Sequence, residues 1–125
     1  MTHYAHYSDV PESAWPWENF TPQEIASKGD GSLIVDADAL DRLQWARREA
    51  DQPFVIFSAY RDPIHNVKVG GAPLSMHKFG KAFDISLRGH HKPMLADICR
   101  RAGFTGFGLN YKTFLHVDTG RNRSW

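Results

Sequence analysis

A chain of 125 residues suits one domain, and 42% hydrophobic residues, with 13% of the chain aromatic, supply enough apolar material for a core without staples. Fifteen Lys and Arg against fourteen Asp and Glu leave a formal charge of +1, which excludes a polybasic surface built for nucleic acid or an acidic membrane. Cys99 is the only cysteine, so an internal disulfide, a Cys-rich zinc finger and an iron-sulfur cluster held within one chain are excluded as well.

Residues 1–19 mix Tyr, His, Pro, Trp and acidic residues without helical or alternating period. They read as an N-terminal arm whose Trp15 and Trp17 pack on a domain formed by residues 20–125. The opening segment lacks the apolar core, about 7 to 15 residues long, of a secretory signal. No apolar run approaches the about 20 residues that cross a bilayer. The expectation is a protein made in the cytoplasm, with no membrane insertion.

Thr21-Pro22-Gln23-Glu24 carries a Thr N-cap with Glu three residues on and Pro at the first helical position, predicting a short helix that ends near Gly29 and Gly31. Asp36 precedes a second helix, in which Leu40, Leu43, Ala46 and Ala50 recur at spacings of three and four. Phe54 to Phe57 is apolar, aromatic and β-branched and reads as a buried strand. Ser58 to Leu74, with Pro63, Gly70, Gly71 and Pro73, reads as one loop, longer than the about 12 to 15 residues beyond which loops in compact domains are usually functional. Ala82 to Ser86 is a further strand. Pro93 opens a third helix through Ala102, with Cys99 inside its apolar stripe and Gly103 as its stop. Phe104 to Leu109 and Thr113 to Asp118 close the chain as strands. The order predicts an α+β fold, a small antiparallel sheet packed against about three helices.

The histidines matter by placement. If the chain reverses about Gly80-Lys81 as a hairpin, His77 faces Asp84 across the pair, close enough for an imidazole and a carboxylate to share one metal ion. In Phe114-Leu115-His116-Val117-Asp118, alternation puts Phe114, His116 and Asp118 on one face of a strand, which makes His116 the natural third ligand. Two imidazoles and one carboxylate match the open, three-ligand sites of catalytic zinc, Zn2+, rather than the four-ligand structural ones.

Three blocks carry a resemblance to a known family: Ser58-Ala59-Tyr60-Arg61-Asp62-Pro63-Ile64-His65-Asn66, then Gly70 to Asp84, then Phe114 to Asp118. In this order they resemble the peptidase M15 zinc peptidases, and within them the short branch similar to D-alanyl-D-alanine carboxypeptidases and peptidoglycan endopeptidases, with a zinc-site fold like that of the hedgehog signalling domain. The resemblance implies zinc ligands at His77, Asp84 and His116, a substrate carboxylate on Arg61 and a second substrate contact at Ser75. It implies hydrolysis of a peptide bond in a peptidoglycan stem peptide or cross-link, by a protein expected to be a monomer. Where several relatives carry a Glu or His as general base, two or three residues before the last ligand, this chain has Phe114 and Thr113. Asp118 is the nearest ionisable alternative, either as that base or as a group orienting His116. A wall substrate and no leader fit a phage-type hydrolase released by lysis or carried in the virion; an envelope enzyme in the periplasm, its signal removed, remains open. The competing readings are a catalytically inactive, zinc-containing peptidoglycan-binding module and, through Arg121, Arg123 and Trp125, a nucleic-acid or phage structural protein. Those three residues are expected to cover a sheet edge.

Overall fold

The structure, a computed structural model, describes residues 1–125. Its elements run β1 (Thr2–Tyr4), α1 (Pro22–Ile25), β2 (Leu33–Val35), α2 (Ala37–Ala50), β3 (Ile56–Ser58), α3 (Pro63–Lys68), β4 (Ala82–Ser86), α4 (Lys92–Ala102), β5 (Gly106–Gly108), β6 (Phe114–Asp118) and β7 (Arg123–Ser124), with single 3-10 turns at Tyr7–Asp9, Glu12–Ala14 and Met76–Phe79. The fold is α+β. A five-stranded sheet has the order β3-β4-β6-β5-β7, antiparallel except for the parallel β5–β7 pair, and β1 and β2 form a separate antiparallel pair. No helix is long and apolar enough to cross a membrane.

Local chemistry accounts for the helix starts. Thr21 accepts from the Glu24 N–H while the Glu24 carboxylate accepts from the Thr21 N–H, a complete capping box. Asp36 caps α2 by accepting from the Ala39 N–H, and Lys81 pairs with its other oxygen. Leu40, Leu43 and Ala46 of α2 meet Leu95 and Cys99 of α4 in the core. The other side of that core is the inner face of the sheet: Phe83 and Ile85 from β4 with Leu115 and Val117 from β6. Burial pushes the Cys99 thiol up to about 12, so it packs as an apolar side chain.

The structure corrects several expectations. The first helix ends at Ile25, well before Gly29, because Ser27 is drawn away to Asp62 by its hydroxyl and to the Ser32 carbonyl by its N–H. The arm is a strand at its start, β1 pairing with the unforeseen β2, and Trp17 reaches the core. The strand expected at 54–57 lies two residues later and at the sheet edge, where Val55 and Phe57 are exposed. The long loop contains α3, a fourth helix, announced by Asp62-Pro63: the Asp62 carboxylate accepts from the His65 N–H and Pro63 fills the first helical position.

The largest correction concerns the reversal at Gly80. There is no hairpin: Met76–Phe79 is a 3-10 turn capped by Gly80 at φ 71°, and β4 pairs with β3 and β6 instead. Gly80 is required there twice over, by its left-handed backbone and because a Cβ would meet the Ile34 carbonyl oxygen at 2.6 Å.

Candidate metal centre

The β4–β6 register sets Asp84 directly opposite His116, and β4–β3 sets Ser58 against Asp84 on the other side. Since successive side chains alternate, the face opposite the core carries Asp84, His116 and Asp118 together. The 3-10 turn then lays His77 over this face. Its Nε2 lies 3.2 Å from Asp84 Oδ1, His116 Nδ1 lies 3.0 Å from the same oxygen, and the two rings are 5.1 Å apart between centroids. One ligand atom from each of His77, Asp84 and His116 lies within 4.8 Å of the others, and all three residues are buried. The structure thus gathers the three sequence candidates by a strand register and a turn, whereas the hairpin would have paired His77 with Asp84 across two strands.

The outer edges of both imidazoles are held. His77 Nδ1 donates to the Ala59 carbonyl oxygen at 2.6 Å, which leaves Nε2 without a hydrogen in the neutral ring and aimed at Asp84. His116 Nε2 is bonded to Asp118 Oδ2 at 2.7 Å, leaving Nδ1 to face Asp84. Two lone pairs and a carboxylate oxygen therefore converge on one point, an arrangement that a cation relieves and a neutral, metal-free site does not. The donor set fits a divalent ion such as zinc.

The charge balance says the same. Burial alone raises the Asp84 carboxyl, but hydrogen bonds from His116 and His77 and their charge outweigh it and bring it to about 2. Burial lowers His116, and its bonds to Asp118 and Asp84 more than reverse this, so its pKa is raised. Asp118 is lowered despite burial by His116, the Gly120 N–H and Arg123. His116 thus lies between two carboxylates, Asp84 at Nδ1 and Asp118 at Nε2.

Asp118 is fully buried and bonded to the edge of His116 that faces away from Asp84. It fits there because residue 106 is glycine; a Cβ at Gly106 would run into the Asp118 carboxylate. Arg61 bonds Ser58 Oγ through Nε, Asn66 Oδ1 through Nη1 and Asp84 Oδ2 through Nη2, the last at 3.4 Å. Ser75 caps the 3-10 turn by accepting from the His77 N–H, and it also lines the groove above the cluster. His65 lies in α3, His90 bonds the Pro53 carbonyl oxygen and His91 precedes α4 without a side-chain capping bond; none joins the cluster.

The groove encloses about 690 Å³, within the about 300 to 1,000 Å³ usual for ligand sites. Around the cluster it is lined by residues 69–72 with Ser75 and Met76, by Tyr111 and Phe114, and by Arg121, Arg123 and Trp125 near the C-terminus. Tyr111 stacks on Phe114, and its hydroxyl accepts from the Trp125 indole at 3.0 Å. Sequence reasoning missed Asn66, Tyr111 and the groove-facing role of residues 121, 123 and 125. For the last three the sequence singles out the residues as a charged and aromatic cluster but not the groove that they line. For Asn66, which ties Arg61 to the Ala72 carbonyl, it carries no signal.

Comparison with curated proteins gives no match. A family model described as Peptidase M15 matches residues 18–118, a span that contains every member of the cluster.

Proposed function

This chain belongs to the peptidase M15 family, a family of metallopeptidases, and from that premise we propose that it is a zinc-dependent hydrolase of a peptide bond in peptidoglycan stem peptides or cross-links, acting as a D,D-carboxypeptidase or an endopeptidase. The observation that carries the reading is the convergence of His77 Nε2, Asp84 Oδ1 and His116 Nδ1 at the floor of a peptide-sized groove. The chemistry zinc supplies in such a site is Lewis acidity, activating water near neutral pH and polarising the carbonyl under attack.

In this reading the protein's own groups divide the work. The Ala59 carbonyl and Asp118 each hold the outer N–H of one imidazole, fixing tautomer and ring plane so that the inner nitrogens are free to ligate. Arg61 holds Asp84 Oδ2, which leaves Oδ1 as the ligand atom and offsets the buried charge. Asp118 is an orienting group rather than the base, since a whole imidazole separates it from the ligating side. Ser75 offers its hydroxyl to a substrate lying along the groove.

One observation favours a second reading, a catalytically inactive zinc-containing module that binds peptidoglycan: no Asp or Glu other than Asp84 is among the residues that line the groove. A single experiment separates the two. Defined muropeptides are incubated with zinc-loaded and chelator-treated protein and analysed by mass spectrometry. Zinc-dependent loss of a terminal D-alanine, or splitting of a stem or cross-link, is the expected result. Stoichiometric zinc with no product from any muropeptide favours the binding module instead.

A further inference from the structure

Asn66 belongs neither to the ligand cluster nor to the apolar core, yet it is only 2% exposed. From α3 its Oδ1 accepts from Arg61 Nη1 at 3.3 Å, and its Nδ2 donates to the Ala72 carbonyl oxygen at 2.9 Å. Its own carbonyl oxygen accepts from the Gly71 N–H at 2.8 Å. The close fit depends on Gly71: a Cβ there would run into Asn66 Oδ1 and come within 2.9 Å of Arg61 Nη1. Arg61, Gly71 and Ala72 all line the groove, and Asn66 does not. It reaches the groove only through the groups it holds. Arg61 is held at three nitrogens, by Ser58 Oγ on Nε, Asn66 on Nη1 and Asp84 on Nη2, so each terminal nitrogen keeps one hydrogen without a partner in the chain. Ser58 and Asp84 face each other across β3 and β4, whereas the Asn66 contact comes from α3. Because the guanidinium is planar, contacts on three nitrogens fix both its plane and the direction of the two hydrogens that remain.

We propose that Asn66 is a positioning residue for the bound peptide: it locks the Arg61 guanidinium and residues 71–72 to each other, so that these parts of the groove are ordered before substrate arrives. The proposal rests on the peptidase reading and adds to it a residue that touches neither metal nor peptide. Without the Asn66 carboxamide, Arg61 and the Gly71-Ala72 backbone must be ordered when the peptide binds, and the lost freedom is subtracted from affinity. The ligands keep their own supports: His77 the Ala59 carbonyl, His116 the Asp118 carboxylate, and Asp84 its place between β3 and β6. Loss of Asn66 therefore acts on binding and leaves the chemical step alone.

The test uses the full-length, zinc-loaded protein and a disaccharide stem pentapeptide, free and cross-linked. Asn66→Ala should raise KM about tenfold, the scale of one or two side chains left to be ordered on binding, with kcat within about twofold and zinc still stoichiometric. The control is Gln44→Ala: Gln44 is as deeply buried, at 4% exposed, and bonds Asn19 through both ends of its carboxamide, outside the groove. It should lose stability and keep the wild-type KM. Gly71→Ala serves if Asn66→Ala does not fold, since the backbone of Gly71 is not left-handed and the added Cβ displaces the carboxamide that it meets. A second readout needs no turnover. The Arg61 Nε–H resonance, assigned by its loss in Arg61→Lys, should exchange slowly with water in wild type and Gln44→Ala, and about tenfold faster in Asn66→Ala and Gly71→Ala. An unchanged KM in Asn66→Ala, a kcat or zinc content that falls in step with it, an equal rise in Gln44→Ala, or an unchanged Arg61 exchange rate each overturns the proposal. If wild type cleaves no peptide but the exchange contrast is found, the peptidase reading fails and the lock on Arg61 stands; cleavage without the contrast is the reverse.

Discussion

His116 and His77 face the same carboxylate oxygen from opposite kinds of support. His116 sits mid-strand in β6, with β4 and β5 hydrogen-bonded on either side, and a buried side chain, Asp118, holds its outer nitrogen. His77 sits on one 3-10 turn whose exit is a left-handed glycine, and a backbone carbonyl holds its outer nitrogen. The first ligand is placed by a ladder and can be tuned by side-chain substitution. The second is placed by a turn, held by the Ser75 hydroxyl at its start and by the glycine at its exit.

Removing either ring should abolish the difference by abolishing the site: His77→Ala and His116→Ala each leave two of three ligands. Both variants should retain no stoichiometric zinc after gel filtration and no hydrolase activity. The next largest effect separates the two sides. Asp118→Ala strips the His116 support alone and should weaken zinc binding by about 10- to 100-fold, measured by competition with a chromophoric chelator. A loss no larger than a surface substitution causes would mean that the ladder alone orients the ring.

The raised pKa of His116 gives a third test, with opposite signs for the two states of the protein. A group whose folded pKa lies above its unfolded value stabilises fully below the unfolded value, near 6.5, and that contribution is lost as pH rises through the raised folded pKa. Metal-free protein should therefore lose thermal stability as pH climbs above about 6.5. Zinc must displace the proton from Nδ1, so its affinity should rise by about tenfold per pH unit over the same window. Zinc-loaded protein should accordingly gain stability where the metal-free form loses it, as followed by melting curves with and without chelator.

The smallest effect is expected on the His77 side. Gly80→Ala forces a Cβ into left-handed backbone and against the Ile34 carbonyl, costing about 1 to 2 kcal/mol or more in denaturant unfolding. Because the turn carries His77, it should also lower zinc affinity, by less than Asp118→Ala does. If it lowers stability while leaving zinc untouched, the turn is anchored through Ala59 and Ser75 rather than through its glycine exit.

What could be read from the chain and what could not divides along the range of the interactions. Thr21 and Asp36 as caps, the stripes of α2 and α4, and the shared face of His116 and Asp118 all depend on neighbours within a few residues, so residue type and spacing suffice. Asp62-Pro63 obeys the same local rule, and α3 was hidden only because the surrounding glycines and prolines suggest a loop. The residues of the cluster were legible as residues of the right types, together with the family that their blocks resemble. Their contacts were not. Asp84 meets His116 because β4 pairs with β6, thirty-two positions away, rather than with the segment just before it. That choice is made by the core: the pairing buries Phe83, Ile85, Leu115 and Val117 together on one face, and the opposite face receives the ligands as a consequence. Likewise the pairing of Arg61 with Asp84 depends on which side chains the closed sheet brings within hydrogen-bonding distance. Local hydrogen bonding can be read along a sequence, but strand partnership is decided by burial summed over the whole molecule.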